Sequence, residues 1–298
     1  MKTIILPLFL TIFSISTYAQ DFQTQFQDAC ANQDTTEQLK VLSKWEKTVP
    51  NDPELYTSFF NYYFQKSKQE LIMLEQGESE QASFTLEAPS GEVVGFLDSR
   101  IIYQIDTLEN GLAYLTKGIE QYPDRLDMRF GKTYAYQETK NWENFTQTLL
   151  EAIEYSSTNN NQWLWMNNEA VEDTKDFFLG NLQNYILNIY HTNDDALLPY
   201  MRRISLKVLE YYPEHIESLS NVAITYLLTA QYKKALAYLL QAEQFAPEDT
   251  IVIANIAHTY RVLDNTFKSI EYYQKLAKLG NEQTAAFAYQ QLEGLQKD

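Results

Sequence analysis

One cysteine, three histidines, nine glycines and eight prolines are the scarce components of this 298-residue chain. Cys30 alone has no partner for an internal disulfide, whatever compartment the chain enters. His191, His215 and His258 fall in no H-E-x-x-H or comparable spacing, so no metal site is expected. A G-x-S-x-G elbow, a P-loop and a dinucleotide glycine fingerprint are all absent. No enzyme activity and no cofactor are therefore expected. Few glycines and prolines also disfavour a turn-rich all-β fold. Basic residues are few as well: 23 Lys and Arg against 40 Asp and Glu give a net charge of −17, with no basic block to offset it. Such a chain repels nucleic-acid phosphate, and no nucleic-acid partner is expected.

Hydrophobic residues make up 45% of the chain, with 22 Tyr and 16 Phe, a content that supports long packed helices. A short, mainly apolar run lies at the start. Lys2, the run from Ile4 to Ile15, and Thr17-Tyr18-Ala19 before Gln20 read as a secretory signal peptide over residues 1–19. The run would span roughly 18 Å as a helix against about 30 Å of bilayer core, which predicts cleavage rather than anchoring. Gln20 stands where a lipoprotein needs cysteine. The expectation is a periplasmic or secreted protein with no membrane insertion after signal cleavage, and with Cys30 packed on a helix.

Internal periodicity organises the rest. A shift of 34 residues superposes Pro213 on Pro247, Asn221 on Asn255, Ala223 on Ala257, Tyr226 on Tyr260, Lys234 on Lys268 and Tyr238 on Tyr272. With Ile216 as the first position, Leu219, Val222, Ala223, Tyr226, Ala235, Leu239, Ala242 and Pro247 occupy positions 4, 7, 8, 11, 20, 24, 27 and 32. Small residues at 8, 20 and 27 let two antiparallel helices approach to about 8–10 Å, large ones fill the gaps, and proline stops the second helix. These segments resemble the tetratricopeptide repeat (TPR) family. The resemblance implies an all-α, right-handed superhelical solenoid of antiparallel helix pairs with a concave binding face.

The expected organisation after the signal is an N-terminal helical segment over 20–52, then a TPR-like unit over 53–123 carrying an insertion at 66–100. Units over 124–158, 159–213 (divergent), 214–249 and 250–283 follow, with a capping helix over 284–298. Within the insertion, Phe84 and Leu86 alternate, Ala88-Pro89-Ser90-Gly91 turns, and Val93, Val94 and Phe96 resume, which predicts a small β-hairpin. The partner helix of 53–64 is expected from about Ile101, with Gly111, Leu115 and Gly118 at positions 20, 24 and 27. Residues 165–176 are expected to add a helical turn or two.

Candidate binding residues follow from the positions that TPR proteins expose on the groove. They are Asn184 and Asn188 in the divergent unit, Glu217, Ser220, Asn221, Ile224, Leu227 and Leu228 in the next, and Asn255, His258 and Arg261 in the last. Amide side chains suit an extended peptide, because each offers a donor and an acceptor. The carboxylate-gripping clamp of some relatives is not reproduced, since Asn184, Ile251 and Asn255 stand where its positive charges belong. Arg125, Arg129 and Lys132, spaced i, i+4 and i+7, are expected as a cationic groove stripe. Glu172, Asp173 and Asp176 read as a solvated face. The leading expectation is a non-catalytic protein- or peptide-binding scaffold, with a structural subunit of an envelope assembly and an enzyme or carbohydrate-binding accessory as alternatives.

Overall fold

The structure, a computed structural model, describes residues 21–75 and 84–295. The expected signal at 1–19 lies outside the described residues. Those described form two compact units, one of residues up to 141 together with 163–170, the other of 142–162 and 171 onward. The fold is all-α, built from TPR-like antiparallel helix pairs with one small sheet inserted.

In the first unit, α1 (residues 21–31) and α2 (Thr35–Thr48) bury Phe22, Phe26, Val41, Leu42 and Trp45 against Leu55, Phe59 and Tyr62 of α3 (Pro53–Ser67). Asp34 caps α2 by accepting from the Glu37 amide at 2.9 Å. Asp52 caps α3, and Pro53 opens it with a φ already suited to a helix. Residues 21–31 were expected only as part of a helical segment, yet Phe22, Phe26 and Ala29 recur at i, i+4 and i+7 and all are buried. Cys30 does not pack as expected. It faces solvent, while Phe26 and Ala29 take the buried side of α1.

Between α3 and α4 (Ile105–Gln121) the chain leaves the helical layer for a three-stranded antiparallel sheet of β1 (Lys68–Glu75), β2 (Phe84–Glu87) and β3 (Val93–Tyr103), in the order β1-β3-β2. The expected hairpin is the β2–β3 pair. Gly91 sits in its turn at φ +82, a conformation that favours glycine, and its amide donates to the Ala88 carbonyl at 2.8 Å. The sequence reading stopped the insertion short, because Arg100, Ile101, Ile102 and Tyr103 remain in strand and α4 starts at Ile105. The Gln104 amide donates to the Ser67 carbonyl at 2.8 Å, so the ends of α3 and α4 adjoin and the sheet is a true insert. Pairing puts Ile72, Leu74, Phe84 and Ile101 on one face, and they are 67, 63, 70 and 60% exposed.

The α3–α4 pair is close because its glycines leave no alternative. A Cβ at Gly118 would stand 2.7 Å from the Met128 Sδ and 3.0 Å from the Tyr56 Cβ; one at Gly111 would stand 3.0 Å from the Tyr63 Cβ. Helix α5 (Leu126–Glu138) completes this core with Met128 and Ala135. Of the helical turn or two expected over 165–176, the structure has one 3-10 turn at Met166–Asn168, and α7 begins at Thr174. Leu164 bridges Arg125 and Ala170, Trp163 is fully buried, and Asn167 and Asn168 adopt φ of 60 and 54 around a single 3-10 turn. Asparagine tolerates that left-handed region better than most residues.

In the second unit, α6 (Trp142–Thr158) packs on α8 (Leu198–Tyr211), which follows α7 (Thr174–Tyr190); α9 (Ile216–Leu228), α10 (Tyr232–Phe245), α11 (Thr250–Val262), α12 (Thr266–Leu279) and α13 (Glu282–Leu295) pack consecutively. Leu219, Val222, Ala223, Ala235, Leu239 and Ala242 are all fully buried, as the 34-residue register requires. The copy that departs from the pattern is compensated. Ser269 at position 20 donates to the Ala257 carbonyl at 3.0 Å, and Leu276 at position 27 fits because buried Ala288 of α13 faces the same cluster. Turns inside the hairpins carry non-glycine residues at positive φ: Gln33, Lys140, Asn193, Ala230 and Asp264. Ala230 and Asp264 are one repeat apart.

Candidate functional site

The expected cationic stripe is a structural core instead. Arg125, just before α5, has a fully buried side chain whose Nη1 donates to Glu54 Oε1 at 2.6 Å, while Nε and Nη2 grip both oxygens of Asp127 at 2.8 Å each. Glu54 Oε1 also accepts the Asn167 amide at 2.8 Å. Burial alone would lower the Arg125 pKa, but hydrogen bonds and charge from Asp127 and Glu54 outweigh it and raise it further. Arg129 is buried too, donating to the Pro123 carbonyl at 3.1 Å with its guanidinium 5.7 Å from the Trp163 ring centre. Lys132 is half-buried and donates to Thr116 Oγ1 at 3.3 Å. The i, i+4, i+7 spacing assumes one continuous helix, but Arg125 precedes α5 with an extended backbone and is held by buried carboxylates and Asn168 of the 163–168 loop.

The amide candidates belong to the second unit. Asn184 and Asn188 are exposed on α7, whereas Asn221 of α9 is buried, and its Nδ2 donates to Gln183 Oε1 of α7 at 2.7 Å. Asn255 and His258 on α11 are half-buried; the Arg261 guanidinium donates to Gln291 Oε1 of α13 at 2.7 Å and meets His258 Nδ1 at 3.4 Å. Burial, then the Arg261 charge, lowers the His258 pKa. The structure therefore ties Asn221 to Gln183, the sequence neighbour of Asn184, and places Asn255, His258 and Arg261 as a separate group.

Between α7 and the start of α9 lies an open cleft of about 660 Å³, a size within the usual range for ligand sites. Asn181, Gln183 and Asn184 contribute amides, Phe177 an apolar edge, and Asp176 and Glu217 carboxylates. His215 forms one end and caps α9: its Nδ1 accepts from the Ser218 amide at 3.3 Å and its Nε2 lies 3.2 Å from Glu217. Burial chiefly lowers the His215 pKa, with Glu217 opposing and Lys175 reinforcing the shift. A neutral ring with its proton on Nε2 satisfies both contacts at once. Sequence reasoning found Asn184, Asn221 and Glu217 but missed Gly180, Asn181, Gln183 and His215. Asp176, read as part of a solvated face, lines the cleft. The available signal was the run Gly180-Asn181-Leu182-Gln183-Asn184, a glycine and three amides within one and a half helical turns.

No protein-family model matches the chain, and no curated protein matches it. Solved structures do. The chain is similar to YrrB, described as a TPR protein with an unusual peptide-binding site, at 13% identity over 84% of this chain and 97% of that one, with a TM-score of 0.41. It is similar to pilF of Pseudomonas aeruginosa at 11% identity, covering 94% and 99%, with a TM-score of 0.37. It is also similar to the C-terminal part of a TPR repeat-containing protein from Cytophaga hutchinsonii at 12% identity, covering 88% and 78%, with a TM-score of 0.42.

Proposed function

We propose that this chain is a non-catalytic scaffold that binds a protein or peptide through the first helices of its hairpins, and that it acts outside the cytoplasm. The observation that carries the binding reading is the α7–α9 cleft, where Asn181, Gln183 and Asn184 of α7 line open space and Asn221 of α9 holds Gln183. An extended polypeptide offers alternating donors and acceptors that such amides match. The location outside the cytoplasm rests on the signal-like sequence over residues 1–19, and the acidity of the chain supports a partner other than nucleic acid.

A photoreactive residue placed at Asn184 in the cell of origin should cross-link a polypeptide, and the same residue at Lys233, exposed on α10, should not. Equal capture from both positions, or none from Asn184, would reject the binding face. Mass spectrometry of the exported protein should find Gln20 first; a mature chain that retains Lys2 would reject the export reading.

A further inference from the structure

We propose that the α7–α9 cleft receives a basic side chain of an extended peptide segment, with Asp176 and Glu217 meeting its charge and the bare backbone at Gly180 letting it lie close. This deepens the scaffold reading and rests on it. Three independent features converge on the cleft.

The first is Gly180 itself. It lies in the interior of α7, where glycine weakens a helix relative to alanine. At Gly111 and Gly118 the neighbouring helix explains the glycine, since an added Cβ would collide with it. At Gly180 an added Cβ would meet nothing within 4 Å. Gly294 shares that openness, but it lies in the last turn of α13, where helices fray and glycine costs little. Packing therefore gives no reason for a glycine at 180, whereas close approach of a ligand does.

The second is charge. Asp176 and Glu217 line the cleft and no Lys or Arg does. Asp176 acts on His215 by charge, and Glu217 meets the His215 ring at 3.2 Å. Neutral His215 leaves that carboxylate uncompensated at pH 7. Lys175, the nearest cation in sequence, reaches His215 electrostatically but does not line the cleft, its Nζ resting 5.5 Å from the Tyr212 ring centre. A lysine or arginine from a partner would supply the missing charge, and a charge-assisted hydrogen bond to carboxylate is stronger than a neutral one.

The third is the row of amides beyond the carboxylates. Asn181 and Asn184 stand on the same helix as Gly180, and Gln183 is held in place by Asn221. A free amine would need only the carboxylates, whereas an extended segment also uses the amides. An acidic segment would meet repulsion at Asp176 and Glu217.

The test titrates full-length protein with short synthetic peptides identical except for a central Lys, Gln or Glu, and with a free alkylamine, following amide resonances by NMR. The Lys peptide should shift Gly180, Asn181 and Asn184 and bind about tenfold tighter than the Glu peptide. That preference should shrink with added salt and in Glu217→Gln and Asp176→Asn. Gly180→Leu should abolish the shifts while leaving the helical signal unchanged, because its side chain enters open space. Equal binding of the Glu peptide, shifts confined to residues outside the cleft, or full binding by Gly180→Leu would each overturn the proposal. Equal binding of the alkylamine would replace the peptide with a small cation and overturn it in that form. The two readings fail separably, since titration reads the cleft directly while cross-linking from Asn184 reads the scaffold role.

Discussion

Replacing Arg125 by methionine isolates what the buried ion cluster contributes. The substitution keeps most of the volume and removes one positive charge and four donor contacts: one to Glu54 at 2.6 Å, two to Asp127 at 2.8 Å, and one to Asn168 at 3.4 Å. Both carboxylates are then left buried and facing each other, with side chains only 8 and 9% exposed. Removing one partner of a buried ion cluster costs about 3–5 kcal/mol, because the remaining charge has lost its solvation and its counter-ion. The Arg203–Glu143 pair at 2.9 Å provides the comparison, since its side chains are 42 and 61% exposed and such pairs contribute about 0–1 kcal/mol. Urea unfolding followed by tryptophan fluorescence is a suitable assay, because Trp45, Trp163 and Trp165 belong to the unit that contains Arg125 and Trp142 to the unit that contains Arg203. Arg125→Met should lower the midpoint by roughly 1 M or more at an m-value of about 1–3 kcal/mol per M, and Arg203→Met should scarcely move it. Adding Glu54→Gln and Asp127→Asn should recover part of the loss, which two independent contributions would not do. Arg125→Met no more harmful than Arg203→Met would refute the argument and return Arg125 to the surface role its spacing suggested.

Gly118→Ala should destabilise by about 1–3 kcal/mol, since its Cβ enters the α3–α4 contact, whereas Gly180→Ala should stabilise by up to about 1 kcal/mol; thermal melts of the pair read both signs. Ala230→Gly should raise stability by roughly 1 kcal/mol, because alanine there is held at φ 53, and no gain would mean that the turn is relaxed in another way. His215 has a lowered folded pKa, so its contribution is present above its unfolded value of about 6.5 and is lost as pH falls through the folded one. Protonation turns the Nδ1 acceptor into a donor and breaks the α9 cap; His215→Asn, which caps without titrating, should flatten unfolding free energy against pH just below 6.5. Replacing Lys68–Tyr103 with a short Gly-Asn turn should leave the helices folded, because Ser67 and Gln104 already adjoin; loss of cooperative unfolding would show that the sheet belongs to the core.

The 34-residue spacing of small and large residues determined helices α9 to α12 of the second unit. Packing of adjacent hairpins is local in sequence, so a pattern such as Leu219, Ala223, Ala235, Leu239 and Ala242 specifies which sides meet. Alternation and turn chemistry likewise marked the β2–β3 hairpin, since Gly91 and the flanking apolar residues act within a few positions of one another. Strand β1 lacked such a signal, because Leu71 to Leu74 is a continuous apolar run that periodicity cannot assign. The tertiary structure alone decided the fate of the cationic stripe. Arg125 precedes α5 with an extended backbone, and its partners are remote in sequence: Glu54 lies 71 residues before it and Asn168 lies 43 after it. It also decided the meaning of the glycines. Gly118 and Gly180 are alike as letters, and only the position of the neighbouring helix makes one a close contact and the other the floor of an open cleft. Local pattern determines which residues share a side; what lies across from that side depends on distant parts of the chain, and burial and charge are set there.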